Sequence, residues 1–321
     1  MPERVLVTGA TGFVGSHIAT TFVEAGYQVR CSVRASSNTR WICGLPIERV
    51  TVDFDRPEDL AGAVNDIDIV VHAAGLTRAR RASDYHRVNV EGTRRLAEAA
   101  LGAGVRRLVL ISSLAARGPD ALTKDGRDRP ASPYGRSKLE AETRLHSLNE
   151  RMEAVVLRPS AVYGPRDTDL LPLFKMARGG WLVVPPDLNF LQPVYVADVA
   201  RVALAAACNE AVSFGPFPVA EAVRYTWHQM IAMLEGALER PVRPVRLPAF
   251  VFEMAGRVAE WAAKPLGSSP VFDTRRARDL AMHAWTCDPS GTERALGWQV
   301  EVPLSEGLKR TARWYREVGW I

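Results

Sequence analysis

RVLVTGATGFVG, residues Arg4 to Gly15, changes its pattern twice over a short distance. Val5, Leu6 and Val7 make an unbroken apolar run, as in a strand covered on both faces. From Phe13 the apolar positions take helical spacing through Ile18, Phe22 and Val23, and Gly26 closes the helix. Between strand and helix, Gly9, Gly12 and Gly15 remove side chains where a dinucleotide's pyrophosphate must approach the backbone. The N–H groups and dipole at the helix start then attract its negative charge. The spacing is GxxGxxG rather than the common GxGxxG. The chain thus opens on a strand, a phosphate loop and a helix in the order a dinucleotide cradle requires.

Composition sets the frame around that cradle. A chain of 321 residues, 47% hydrophobic and 24% charged, suffices for one large core and a smaller second lobe. The net charge of +5 comes mostly from arginines scattered through the chain, at Arg78, Arg80 and Arg81, Arg106 and Arg107, and Arg275, Arg276 and Arg278. No aromatics interleave them, so they read as solvated faces and an anionic cofactor's counter-charge, and no nucleic-acid partner is expected. Cys31, Cys43, Cys208 and Cys287 form no CxxC or ligand-spaced cluster; neither a metal site nor a disulfide framework is expected, and reduced thiols point to the cytoplasm. The first strand begins too early to leave room for a signal peptide. No run of about 18 apolar residues is present to span a bilayer. Leu247 to Ala263 comes nearest and carries Glu253, Arg257 and Glu260.

Along the chain, strands are expected at Gln28 to Val33, Val50 to Phe54, Ile67 to Val71, Leu108 to Ile111, Ala154 to Leu157 and Val212 to Phe214. Helices are expected at Pro57 to Val64 and Ser83 to Ala103. The alternation predicts a doubly wound parallel α/β sheet of the Rossmann type. Helical patterns dominate after Ala220, at Trp227 to Leu238 and Ala249 to Ala262. The expected organisation is a dinucleotide-binding domain over 1–165, with 191–217 returning to it. A smaller, mainly helical substrate lobe would use 166–190 and 218–321. Cofactor choice is set where the second strand ends, because the adenosine ribose sits there. Val33 is followed by Arg34, Ala35, Ser36 and Ser37, with no acid to bind a 2′-hydroxyl and a guanidinium to receive a 2′-phosphate. NADP(H) is therefore expected over NAD(H).

The strand ending at Ile111 delivers Ser112 and Ser113 to the carboxyl edge of the sheet, where ligands bind in such folds. Downstream, Pro133 opens a helix on which Tyr134 and Lys138, four apart, share a face. Ionising a tyrosine of pKa about 10 at neutral pH requires roughly 4 kcal/mol. An ammonium about 5 Å away, at an effective dielectric near 20, supplies roughly 3 kcal/mol of that. With 7 tyrosines and only five lysines in the chain, chance YxxxK matches should number about 0.1.

The strings TGATGFVG, YGRSK at Tyr134 to Lys138 and RPSAVYGPR at Arg158 to Arg166 resemble the extended short-chain dehydrogenase/reductase family, as does QPVYVADVA at Gln192 to Ala200. This is the group of nucleotide-sugar epimerases, dihydroflavonol reductases and 3β-hydroxysteroid dehydrogenases. GYQVRCSVR resembles the NADP-using dihydroflavonol reductases. The resemblance implies that Gly9, Thr11, Gly12, Phe13, Val14 and Gly15 hold the pyrophosphate and that Asp53, beside Phe54, meets the adenine amine. His72, Ala73, Ala74 and Gly75 become a small-residue shelf, with no acid–base role for His72. Asn89, in the string NVEGT, joins the cofactor site, where it either braces neighbouring strand backbone or serves as a relay. Ser112, Pro159 and Ser160 join the nicotinamide side of the cofactor site. Tyr134 becomes the general acid/base, Lys138 its tuner and a ribose ligand, and Ser113 the donor to the substrate oxygen. Asp198 caps and braces a helix returning to the sheet.

Departures from the family pattern narrow the chemistry. Ala161 stands where sugar-nucleotide enzymes carry an Asn for the diphosphate, and alanine donates no hydrogen bond. Leu114 and Ala115 replace the dehydratases' Asp-Glu pair. Ala116 and Arg117 replace a Val-Tyr beside the serine. The expected activity is NADP(H)-dependent hydride transfer between a secondary alcohol and a ketone on a fairly apolar molecule, sterol-like or flavonoid-like. The alternatives are an NAD-dependent nucleotide-sugar epimerase or dehydratase, and a non-catalytic dinucleotide sensor. A homodimer is expected. Gly118 to Pro130 reads either as a flap over the site or as a solvated loop. Leu170 to Phe190 reads either as a pocket wall or as lobe core, and Leu247 to Ala263 as lobe packing, a dimer contact or a membrane-surface contact.

Overall fold

A computed structural model describes residues 2–79, 81–120, 123–148, 151–184, 190–246, 254 and 285–321. The opening strand β1 (Arg4–Thr8) lies in the interior of a seven-stranded parallel sheet. Its partners are β2 (Gln28–Val33), β3 (Glu48–Thr51), β4 (Ile69–His72), β5 (Arg107–Ile111), β6 (Glu153–Pro159) and β10 (Phe214–Val219). Their order is β10-β6-β5-β4-β1-β2-β3. Chain order runs outward in both directions from β1, which makes the crevice between β1 and β4 the switch point where such sheets bind ligands.

Period-2 alternation assigns the two faces. Val5, Val7, Ile69, Val71, Val109, Val155 and Leu157 pack on one side with α1 (Phe13–Glu24) and α7 (Val196–Cys208). Leu6, Val70, Leu108, Leu110 and Val156 pack on the other with α2 (Pro57–Val64), α4 (Gly92–Gly102) and the end of α5 (Pro133–His146). Both faces are covered, which is why the strands read as continuous apolar runs.

A second apolar cluster forms around the remaining elements. It joins Tyr163 and Tyr195, from the short strands β7 (Val162–Tyr163) and β9 (Val194–Tyr195), to α6 (Leu171–Arg178), β8 (Trp181–Val184) and α8 (Trp227–Leu238). β11 (Arg243–Arg246) pairs with β8. The last helices are α9 (Ser290–Leu296), on the sheet side, and α10 (Leu304–Glu317), on the second cluster. Phe174, Leu182 and Val184 are buried here, so these residues of the 170–190 stretch are core, while Trp181 is 44% exposed. The helix expected at Ala249 to Ala262 and the contact weighed for Leu247 to Ala263 lie outside the described residues, Met254 excepted.

Several boundaries differ from the sequence reading. β3 starts earlier and ends at Thr51, β4 runs Ile69 to His72, and β10 begins rather than ends at Phe214. The helix expected at Ser83 to Ala103 is α3 (Ala82–Tyr85), a π-helical turn His86–Glu91 and α4. Such an inserted residue re-aims side chains, here Asn89. Asp198 does not cap its own helix; its carboxylate accepts from the Glu301 and Val302 N–H groups and anchors the C-terminal segment.

Nor is Arg107 on a solvated face. It is fully buried, ion-paired to Glu153, and donates to the Ala206, Asn209 and Val212 carbonyls at the end of α7. A guanidinium can saturate those orphan carbonyls and complement the helix dipole.

Among the described residues no helix is long and apolar enough to cross a membrane, and no His/Cys/Asp/Glu group could hold a metal ion. All four cysteines are free.

Candidate active site

The phosphate loop is closed by backbone alone. Gly12 N–H donates to Gly9 O at 2.9 Å, and Gly9 has φ +71°. α1 begins at Phe13 with Gly12 as an N-cap that supplies no side chain, and with no acid in its first turn. Its first N–H groups therefore face the loop without an internal competitor for an anion, which fits a pyrophosphate. Thr11, Phe13 and Val14 are part-exposed on this edge, and Ala73, Ala74 and Gly75 lie across from it at the end of β4.

On the adenosine side Arg34 is exposed, and its side chain makes no hydrogen bond or ion pair among the described residues. Its N–H donates to Ser37 Oγ at 3.1 Å, and Ser37 N–H donates back to Arg34 O at 2.9 Å. Asp53 is exposed and accepts from Asp55 N–H at 3.0 Å; Phe54 stacks on His72 at 5.9 Å.

Three residues placed in the cofactor site by resemblance turn their side chains inward. His72 is 1% exposed, with Nδ1 2.7 Å from Thr8 Oγ1 and Nε2 3.0 Å from Thr93 Oγ1. Thr93 spends its proton on Asn89 O, and Thr8 Oγ1 already accepts from Ala74 N–H. The ring is therefore the neutral Nε2–H tautomer, donating to Thr93 and accepting from Thr8. Asn89 accepts from Leu76 N–H at 2.7 Å and donates to Leu76 O and Ser137 Oγ, which ties the end of β4 to α5. Ser112 donates to Glu142. These side chains brace the shelf from behind.

Burial pushes the His72 pKa down to about 3, with the Lys138 charge adding to it. Below pH 6.5 the unfolded chain takes up a proton that folded His72 refuses. Stability is therefore lost as pH falls from 6.5 toward 3, by about 1.4 kcal/mol per pH unit for this group. His72→Gln is expected to flatten the acid side of the stability profile, as measured by urea midpoints between pH 6.5 and 4.5.

The chemistry-bearing residues meet at the carboxyl end of β5. Ser113 is part-exposed, and its Oγ accepts from Ala115 N–H at 3.1 Å to start a short 3-10 turn, Leu114–Ala116. α5 is started by Pro133 and by Ser132, whose Oγ accepts from Gly135 N–H at 3.0 Å. Gly135 lies so close to this turn that a Cβ would stand 2.3 Å from Ala115 O. Tyr134, its neighbour, is part-exposed, and its ring lies 6.1 Å from that of Tyr85. Lys138 is buried, and its Nζ donates to Ile111 O at 2.7 Å, just beneath the serines. Burial lowers its pKa to about 8, while Glu142 pulls it upward.

Glu142 and Arg158 were not singled out from sequence, although Glu142 continues the same four-residue spacing from Tyr134 through Lys138. Arg158 Nη2 meets Glu142 Oε2 and Asp128 Oδ2, each at 2.6 Å. This fixes the 123–130 segment against β6. Breaking a buried pair strands a charge, so Arg158→Met is expected to cost about 3–5 kcal/mol. Thermal and urea unfolding check this.

Directly after Ser113 in the chain, Leu114 is buried with Ala220 and Cys287, and Trp285 packs on this wall. Gln192 holds that wall by donating to Cys287 O at 3.0 Å and accepting from Cys287 N–H at 2.8 Å. It also accepts, at its backbone O, from Ser160 Oγ at 2.5 Å. Pro159, at the end of β6, is buried, and Ala161 is exposed.

Residues 5–217 match the model of the NAD dependent epimerase/dehydratase family. Over 320 residues the chain is 32% identical to the ceramide reductase of Caulobacter vibrioides, covering 99% of this chain and 96% of that one. It is 29% identical to the UDP-glucose 4-epimerase of Vibrio cholerae, covering 98% and 95%. The crystal structure of gox2253 superposes with a TM-score of 0.80 at 26% identity over the full length of both chains.

Proposed function

The chain belongs to the NAD dependent epimerase/dehydratase family and is an NAD(P)-dependent oxidoreductase, and on that premise we propose that it is an NADP(H)-dependent ketoreductase. Its substrate is a fairly apolar molecule of the lipid or sterol kind. The observation that carries this is the placement of Tyr134 and Lys138 one turn apart on α5, with the ammonium on Ile111 O at the end of the strand that leads into Ser113. A bound nicotinamide supplies or accepts the hydride. Tyr134 gives its phenolic proton to the carbonyl oxygen during reduction, Ser113 donates a hydrogen bond to that oxygen, and Lys138 favours the phenolate left behind.

The substrate class is supported by the apolar cluster of Leu114, Ala220, Cys287 and Trp285, which begins at the residue after Ser113, and by the full-length likeness to a ceramide reductase. Arg34, exposed and uncommitted beside Ser36 and Ser37, supports NADP(H). Gly9, Gly12 and Gly15 would hold the pyrophosphate, Asp53 the adenine, and Pro159 and Ser160 would border the nicotinamide.

The test is NADPH consumption with a panel of 3-oxo sphingolipids, 3-ketosteroids and short ketones. Turnover is expected with the first two. Arg34→Ala is expected to raise the NADPH Kd about tenfold, the loss of one charge-assisted contact, and to leave NADH unchanged. Turnover of UDP-glucose with tightly held NAD, and none of any ketone, would overturn the reading in favour of a sugar-nucleotide epimerase.

A further inference from the structure

The loop joining β2 to β3, residues 34–47, carries the groups assigned above to the 2′-phosphate, and it is held from two sides. Ile42, 1% exposed, sinks into the sheet core. Its neighbour Trp41 lies instead against the far end of the chain. The Trp41 ring centroid is 5.6 Å from that of Trp314 on α10 and 6.4 Å from Trp320, and those two pack edge-on at 5.0 Å. The Arg40 guanidinium covers Trp41 at 4.0 Å and reaches Trp320 at 5.9 Å.

We propose that Trp41, clasped by Trp314 and Trp320, is a positioning residue for cofactor selection. By docking the 34–47 loop on the chain's last residues it holds Arg34 and Ser37 where a 2′-phosphate must sit. The inference rests on the NADP(H) reading of the cofactor site.

The physical argument is one of prepaid order. Among the described residues, the turn at Arg34 to Ser37 is closed by its own two bonds alone. It sits in a loop without helix or strand. A loop left free loses conformational entropy when a ligand fixes it, and that loss is subtracted from affinity. The aromatic clasp removes the freedom beforehand. The tail that forms the clasp is itself anchored. Trp320 N–H donates to Tyr315 O at 2.8 Å, and buried Tyr315 donates to Asp167 O at 2.7 Å. Arginine over tryptophan adds a cation–π attraction at the rim. Both cofactors use the glycine loop, but only the one bearing a 2′-phosphate uses this turn. The clasp therefore acts on NADPH and spares NADH.

The experiment titrates NADPH and NADH against the full-length wild-type protein and its variants, with melting temperatures recorded first. Trp41→Ala is expected to weaken NADPH about tenfold and NADH less than twofold, so that the preference collapses. Trp41→Phe, which keeps a ring in the clasp, is expected to retain it. Trp320→Ala is expected to act in the same direction. Should the alanine variants not fold, Arg40→Ala removes only the exposed cover, with a twofold to threefold loss for NADPH expected. Equal weakening of both cofactors, or unchanged NADPH affinity in folded variants, overturns the inference while the NADP(H) reading stands. A wild-type protein without preference for NADPH overturns that reading, and the inference with it.

Discussion

Tyr134→Phe is expected to lower kcat for ketone reduction by about a thousandfold while leaving the affinity for NADP(H) within a factor of two. The substitution removes one oxygen and keeps the ring that lies against Tyr85, so packing at the start of α5 is preserved. What is lost is the proton that neutralises the developing alkoxide, and the remaining hydrogen bond from Ser113 polarises the carbonyl without supplying that proton. The loss should therefore appear in kcat and kcat/KM together, as for an interaction made in the transition state alone. Single-turnover rates with NADPH bound, together with direct titration of the cofactor, separate chemistry from binding. An unchanged rate would return the chain to the class of dinucleotide-binding sensors.

Gly15→Ala should abolish measurable cofactor binding, raising Kd by at least about a hundredfold, a loss of roughly 3 kcal/mol. A Cβ at this position would stand 2.2 Å from Gly9 O and 2.6 Å from Gly9 C, inside any tolerable contact. Gly9 has nowhere to retreat. A Cβ on that residue would itself lie 2.6 Å from Ala74 N, and its φ of +71° strains any L side chain. The loop must open, and with it go the Gly12 N–H to Gly9 O bond and the approach to the first turn of α1. Fluorescence titration with NADPH and NADH reads the effect, and both cofactors should fail alike because both use the same pyrophosphate contacts. Retained binding of either would mean that the pyrophosphate lies elsewhere.

The contrast between these two sites and the rest of the molecule follows from distance along the chain. The phosphate loop and the Tyr134–Lys138 pair are each held within one turn or one βα unit, so residue types and spacing carry their geometry directly. The π-helical turn at His86–Glu91 left no such trace. Its inserted residue is accommodated because Asn89 reaches both Leu76 and Ser137. Arg107 shows the same limit for charge. As a sequence letter it is one of many scattered arginines, and it is a helix-capping core residue only because α7 ends above it. Glu142 was the one missed partner with a readable signal, since it extends the spacing of Tyr134 and Lys138.

By itself the amino-acid sequence determined the parallel sheet, the glycine turn at its first strand and the shared face of Tyr134 and Lys138 on α5, because each depends on neighbours in the chain and on the periods of strand and helix. Only the tertiary structure decided that His72 is neutral and held between Thr8 and Thr93. It alone decided that Arg158 carries the charge balance behind Lys138, and that Trp41 meets Trp314 and Trp320 across the molecule. Burial and long-range pairing set those properties, and neither is encoded in any local pattern of residues.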